Sequence, residues 1–430
     1  MPRTDTLGSL GLFAFALVVR LAYCHYAGGI GHGQPDGFRE YAVVAERLLA
    51  QGVLSSPLLG QPESSPQPSD LLPPAYVGIV ALTYKLLGTQ SHAATITLHL
   101  LNAVATALAA VVAGLVSRRL AGHVAGWLAG IMAALHPLAF AYTTYVWDTS
   151  LFTLGIVLSV WGSLRLSDGP PSMRRYLWFG GGLGLLALLN PAWTTAYPLL
   201  VLWPLARRQP PTPGSTRLRL AAMALLGWAI VVVPWTARNY LNADHLSYVR
   251  GGLGFELWLG VCPEVDGEGD VYLSQYPLLN ADQQERVIAL GERAYIRDAG
   301  TRAWEAIRAN PGRFIRLSLW RAVDFWAGTV LTHTDGTGGH QLPDRRTWLT
   351  LLLSAETATL SLLLMGGVSR DLRWLVGALL LFSLLYTLTH VELRFRAPIT
   401  PVMSITLACA AVAASQRCRR TVMASVAVQR

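Results

Sequence analysis

The sequence predicts an all-α, polytopic membrane protein with about ten transmembrane helices, interfacial helices in a first external loop and a small external domain. Three observations predict it. Hydrophobic residues make up 52% of the 430 positions and charged residues only 14%, too little polar surface for a soluble domain of this length. The apolar residues gather in runs comparable to the roughly 17 to 25 residues that cross a hydrocarbon core about 30 Å thick. The basic residues sit mostly as Arg pairs in the short breaks between runs, the pattern of topology signals rather than of a nucleic-acid surface. Helices follow because a backbone in lipid must satisfy its own hydrogen bonds.

The runs are 7–23, 92–116, 120–140, 149–165, 176–189, 192–206, 218–234, 347–367, 372–389 and 397–416. The first has no small-residue cleavage site after it and reads as a retained anchor. With the N-terminus cytoplasmic, the breaks carrying Arg118 and Arg119, Arg174 and Arg175, Arg207 and Arg208, and Arg370 and Arg373 fall on the cytoplasmic side, as does the tail with Arg417, Arg419 and Arg420. The same parity places residues 24–91, the stretch around Asp148 and residues 236–346 together outside. The chain divides accordingly into an N-terminal transmembrane module (1–235, with its external loop 24–91), an external domain (236–346) and a C-terminal module (347–430).

Two apolar stretches fit this parity only if they do not span. Residues 75–88 are too short to cross and follow a Pro-rich loop, so they belong at the interface. Residues 313–326, RFIRLSLWRAVDFW, mix Arg and Asp with large apolar side chains as a helix lying among headgroups does. Runs 176–189 and 192–206, split by Asn190 and Pro191, read as a hairpin that crosses fully or in part. Of the four cysteines, Cys24, Cys262, Cys409 and Cys418, at most Cys24 and Cys262 could pair on an oxidising side.

Ionisable groups crowd the external rim. Asp36 follows the first helix, ahead of a short amphipathic segment with Glu40 and Tyr41; these acids either cap and solvate that segment or do chemistry. Asp148 interrupts an apolar stretch in YVWDTSLF, as an N-cap for the next helix or as a functional acid. HVELRFRAPITP puts His390, Glu392, Arg394 and Arg396 at an external boundary, against the positive-inside tendency, where paired guanidinium forks suit a phosphate or ordinary headgroup anchoring. Arg20 and Arg238 either join that cluster or snorkel. THTDGTGGHQLPD, with His333, Asp335 and His340, is too loosely spaced to specify a metal geometry, and Glu356 reads as an acid that is either buried against a polar partner or marks a helix interface.

The order of PDGFREYAVVAERLL, PPAYVGIVALTYKLLG, YVWDTSLF, ALLNPAWTTAYPLLVLWPL, VVPWTARNYL with GGLGFELWLG, and ELRFRAPITPV resembles the GT-C superfamily of integral-membrane glycosyltransferases. The resemblance is especially to the bacterial relatives of dolichyl-phosphate-mannose protein mannosyltransferase and the lipid A aminoarabinose transferase, and it covers nearly the whole chain. It implies a multi-pass protein of the bacterial inner membrane with both termini cytoplasmic. Such an enzyme moves a sugar from a polyprenyl-phosphate donor to an acceptor glycan, lipid or protein hydroxyl on the periplasmic side, with inversion. By the same resemblance Asp36 is the general base, Asp148 the second acid and the C-terminal Arg394 and Arg396 lie near the donor phosphate, with Glu40 the reserve base; Arg238, Arg20 and His390 are further candidates for the phosphate site. A divalent cation shared by Asp36 and Asp148 is left open.

Two departures stand out: Asp36 lies five residues before Tyr41 rather than four, and LLPPAY lacks the Glu-Lys that precedes the Pro in the aminoarabinose transferases. The alternative function is a transporter or flippase of a lipid-linked envelope substrate, which would line a path through the bilayer with polar groups rather than crowd one rim.

Overall fold

In the computed structural model, the described residues are 3–26, 29–31, 40–58, 68–208, 212–243, 247–266, 271–327, 356 and 369–428. Asp36, the His333–Asp335–His340 loop and the run 347–367 apart from Glu356 lie outside them. Among the described residues the regular elements are all helical.

The N-terminal half comprises α1 (Arg3–Tyr26), α2 (Glu40–Gln51), α3 (Pro74–Leu87), α4 (His92–Ala121), α5 (His123–Leu135), α6 (Pro137–Ala141), α7 (Thr149–Leu166), α8 (Met173–Leu189), α9 (Tyr197–Arg207) and α10 (Gly214–Ala243). Next come α11 (Leu253–Leu259), α12 (Val271–Gln275), α13 (Ala281–Leu290), α14 (Glu292–Ala309) and α15 (Pro311–Ala327). The chain closes with α16 (Arg370–Leu388), α17 (Leu393–Arg396) and α18 (Thr400–Val428).

By length and composition six helices can cross a membrane, or seven if α5 and the helical stretch after it, bent by 50°, form one span. The expected ten are therefore not all present as full-length helices among the described residues. The run 120–140 is broken at Pro137, which has no N–H to offer the carbonyl of Ala133 one turn back. The pair 176–206 is shorter than a clear crossing: α8 has 17 residues and α9 has 11, separated by a 3₁₀ turn at Pro191–Ala196. The stretch 75–88 is the 14-residue α3, which packs on α2 through buried Tyr41, Val44, Tyr76 and Val80.

Helix contacts follow the small residues. A Cβ at Gly180 would collide with the Ala224 carbonyl, and one at Gly227 with that of Leu177, so α8 and α10 meet backbone to backbone. Ala-rich faces of α4, α5 and α18 form much of the main core. A second core lies in the segment after α10, where Phe255, Trp258, Tyr295, Ile296 and Ala299 pack with Leu58 and Leu71 of the first loop.

The Arg-bearing breaks share one end of the bundle. Arg119 forms a two-point pair with Asp168, Arg175 donates to the Asp168 and Arg165 carbonyls, Arg208 donates to the Gly169 and Leu166 carbonyls, and Arg207 pairs with Asp371. The expected grouping of those loops is the one observed.

Candidate active site

At the other end, five stretches distant in sequence meet. The first is the start of α2 with Glu40 and Tyr41. The second is the turn into α7, where Asn102 Nδ2 of α4 donates to the Tyr145 carbonyl at 2.7 Å and so fixes the backbone before Asp148. Asp148 stands at the N-cap position of α7 but makes no side-chain cap bond. Its Oδ2 instead accepts from Asn190 Nδ2 at 2.8 Å, and the Tyr41 hydroxyl donates to the same carboxylate. Of the two sequence readings, the acid is a paired group and not a cap.

Asn190 reaches it because Pro191 ends α8. The side chain Oδ1 caps the following 3₁₀ turn through the Ala192 N–H at 3.1 Å, which leaves the amide nitrogen facing Asp148.

The remaining stretches are the loop and helix carrying Arg250 and Glu256, and the turn between α16 and α17. Arg250 Nη2 donates to Glu256 Oε1 at 2.7 Å, and Glu256 Oε2 lies 2.9 Å from His390 Nδ1. His390 Nε2 lies 3.5 Å from Glu392 Oε1, and Glu392 receives both Nε and Nη2 of Arg394 at 2.6 and 2.9 Å. The signs alternate along Arg250, Glu256, His390, Glu392 and Arg394, so each carboxylate bridges two cationic partners. Trp147 carries the Arg394 guanidinium 5.1 Å above its ring, and Tyr41 meets Trp147 edge-on at 5.2 Å.

The Arg250, Glu392 and Arg394 side chains keep 37%, 25% and 19% of their surface accessible, so this cluster is partly open to solvent. Burial pushes Glu40 up to about 7, against the pull of Arg394 and Arg250. Burial likewise raises Asp148 to about 6, opposed by the Asn190 hydrogen bond and by Arg250. Burial would also raise Glu256, but Arg250 and His390 outweigh it and hold the carboxyl at about 2. His390 is pushed down by burial and up more strongly by Glu256 and Glu392, to about 9. At neutral pH Glu256 is thus ionised and His390 protonated, Asp148 is mostly ionised, and Glu40 is divided between its two forms.

Of the residues singled out in the sequence, the structure brings together Glu40, Asp148, His390 and Arg394. Asp36 lies outside the described residues, four positions before Glu40. Arg396 is elsewhere: it is 1% exposed, pairs with Glu356 Oε2 at 2.9 Å, and donates to the Phe325 and Trp326 carbonyls. Glu356 in turn lies 3.3 Å from His136 Nε2, the polar surroundings expected for it.

Arg20 donates to Thr106 Oγ1 at 3.0 Å, to the Ala133 carbonyl at 3.1 Å and to that of Ala134, the acceptors left over at the Pro137 break. Arg238 donates to the Ser69 carbonyl at 2.8 Å and stacks on Trp235. Cys24, Cys262 and Cys409 are free and buried, so the Cys24–Cys262 bridge is not formed. Among the described residues no three His, Cys, Asp or Glu side chains converge as metal ligands.

Sequence reasoning missed Arg250, Glu256 and Asn190 as site residues. Their segments, GGLGFELWLG and ALLNPAW, stand out in the sequence, yet nothing local says that an Arg beside a Gly pair would meet the turn between α16 and α17.

The chain matches no protein-family model and no curated protein. Among solved structures it is similar to the archaeal oligosaccharyltransferase AglB from Archaeoglobus fulgidus, in complex with an inhibitory peptide and a dolichol-phosphate. The identity is 13% and the TM-score 0.55, over 95% of this chain and 50% of AglB, so the chain spans half of that protein's length. It is also similar to ArnT from Cupriavidus metallidurans bound to undecaprenyl phosphate, at 16% identity and a TM-score of 0.41 over 94% of this chain and 77% of ArnT. The chain thus shares the helical fold of AglB.

Proposed function

We propose that this protein is a membrane glycosyltransferase that moves a sugar from a polyprenyl-phosphate donor to an acceptor hydroxyl at the periplasmic rim. The observation that carries the reading is the meeting, at one end of the bundle, of two carboxylates raised by burial, Glu40 and Asp148, with two arginines, Arg250 and Arg394. It lies in a fold shared with a protein solved with a dolichol-phosphate.

In the proposed reaction the acceptor oxygen attacks the anomeric carbon as the bond from that carbon to the phosphate oxygen breaks. The acceptor proton passes to a carboxylate, and the polyprenyl phosphate leaves with its added negative charge. A single displacement of this kind inverts the anomeric centre. Asp36 is assigned the proton on the resemblance and Glu40 is the reserve; a placed base contributes about 10²- to 10⁴-fold. Arg250 and Arg394 receive the departing phosphate, each good contact being worth roughly 3 to 4 kcal/mol in the transition state. Both termini are then cytoplasmic, because the Arg-rich end of the bundle is opposite the site.

The test is transfer by purified protein from a synthetic polyprenyl-phosphate sugar to a panel of hydroxyl acceptors. Asp36→Asn and Glu40→Gln are compared for loss of at least about 100-fold. Movement of the intact donor across a vesicle bilayer, without transfer, would replace this reading by the flippase one. Comparing cell-envelope glycans with and without the protein by mass spectrometry identifies sugar and acceptor.

A further inference from the structure

Glu256 and His390 come from different parts of the chain, and their contact needs the end of α11 to be held against the end of α16. Two features hold it. A Cβ at Gly260 would collide with the Thr389 carbonyl, so the two backbones touch there. Beside that contact, Arg321 of α15, only 7% exposed, donates Nε to the Thr387 carbonyl at 2.9 Å and Nη1 to the Gly260 carbonyl. One planar fork thereby ties the turn after Glu256 to the turn before His390. Its third nitrogen is held by Ser318 Oγ at 3.0 Å, so the fork's orientation is set by its own helix.

The opposite face of α15 is apolar and bare. Ile315, Leu319, Trp320 and Val323 are 58%, 65%, 53% and 40% exposed, at spacings that put them on one side of the helix, with exposed Arg316 among them. Phe325 on the inner side stacks on Tyr386 of α16, rings 13° from parallel. α15 therefore lies along the outer end of a span whose own exposed row is Leu380, Leu384 and Leu388. A bare apolar row on the flank of a span meets what bathes the span, and an Arg among large apolar residues matches the boundary between headgroups and acyl chains.

We propose that α15 is seated by its outer face in the headgroup layer of the membrane and that Arg321, on its inner face, is a positioning residue that fixes Glu256 against His390. Lipid contact and site geometry are then carried by a single rigid element. The consequence for sugar transfer rests on the glycosyltransferase reading, but neither measurement below depends on activity.

The first measurement uses full-length protein in nanodiscs of phosphatidylcholine and phosphatidylglycerol, with a nitroxide at L319C. Relaxation by oxygen and protection from a water-soluble nickel chelate are expected. Exposure to the chelate overturns the lipid seat, and so does protection from both agents, which would mean that a second copy or another segment covers the row.

The second follows His390 by nitrogen NMR of histidine-labelled protein, assigned with H390Q. The charged and titratable groups around it are Glu256 on α11, Arg250 ahead of it, Glu392 and Arg394 on its own turn and Tyr386 on α16. In R321Q the midpoint falls from about 9 toward the ordinary 6.5, because Glu256 moves off and burial then dominates. A midpoint unchanged at about 9 refutes the positioning role. If R321Q does not fold, R321K, which keeps the charge but loses the two-carbonyl fork, is read in its place against the same criterion.

Discussion

Glu256 Oε2 sits 2.9 Å from His390 Nδ1, and its other oxygen holds Arg250 at 2.7 Å. That one carboxylate joins the segment after α10 to the turn between α16 and α17 and fixes how far apart Arg250 and Arg394 stand. Charged groups spaced this way suit a ligand with a fixed distribution of negative charge, as a phosphate is.

Removing the bridge disconnects both arginines. Glu256→Gln keeps the shape but leaves Arg250 without its counter-charge and His390 with Glu392 alone. Donor kcat/KM is expected to fall by about 30-fold or more, with acceptor KM little changed. Steady-state kinetics with each substrate varied in turn checks this, and an unaltered donor dependence would remove the network from the mechanism.

Arg394 and Arg396 are expected to separate into two kinds of residue. Arg394→Ala should weaken donor use while leaving the melting temperature within a few degrees of the parent. Arg396→Ala strands Glu356, which is 6% exposed, and the loss of one partner from a buried pair costs about 3 to 5 kcal/mol, so it should act on stability first. Thermal denaturation in detergent beside donor titrations distinguishes them; matching effects of the two variants on both readouts would contradict the assignment.

The pH profile has two limbs with known sign. Proton acceptance needs ionised carboxylates, so rate is expected to rise as Asp148 and Glu40 ionise, at about 6 and about 7. It should fall above about 9, where His390 loses the charge that holds Glu256 and Glu392. Glu40→Gln should leave the lower limb near 6, set by Asp148 alone.

Stability follows the same shifts. Glu40, Asp148 and His390 bind protons more tightly folded than unfolded, so their contribution is complete below the unfolded values of 4.5, 3.8 and 6.5 and is lost as pH rises through about 7, 6 and 9. Glu256 works the other way, its contribution being present above 4.5 and lost as pH falls through about 2. Melting temperatures measured from pH 5 to 10 should therefore decline toward the alkaline end.

Asp148 depends on two neutral donors. Asn190→Ala removes the 2.8 Å bond and should raise the Asp148 midpoint further, moving the acid limb upward, whereas Tyr41→Phe removes a single hydroxyl to the same end. Asp148→Asn is expected to cost about 100-fold in rate while the protein stays folded, and near-normal turnover would eliminate it as a working acid.

The fold class was legible because burial in lipid acts on every residue of a span, so runs and Arg-bearing breaks carry it locally. The number of full crossings was not, since Pro137 and the Asn190–Pro191 break change helix length without changing hydrophobicity. Three of the four ionisable residues of the HVELRFR cluster, His390, Glu392 and Arg394, meet at the site, and Arg396 does not. Arg394 and Arg396 are two residues apart in the helical turn α17 and so point about 200° apart, which sends one into the site and the other into the bundle. The sequence gives their spacing but not the turn's orientation. Arg250 and Glu256 acquire their meaning only through contacts with residues far along the chain, and no window of sequence contains both sides of such a contact.

The seam at Gly260 has a consequence for variation. With the Thr389 carbonyl already where a methyl group would sit, that position admits only hydrogen as its side chain. The segment between α10 and α15 can thus drift widely in composition, or be exchanged for another, only as long as the replacement delivers a bare backbone to the same spot.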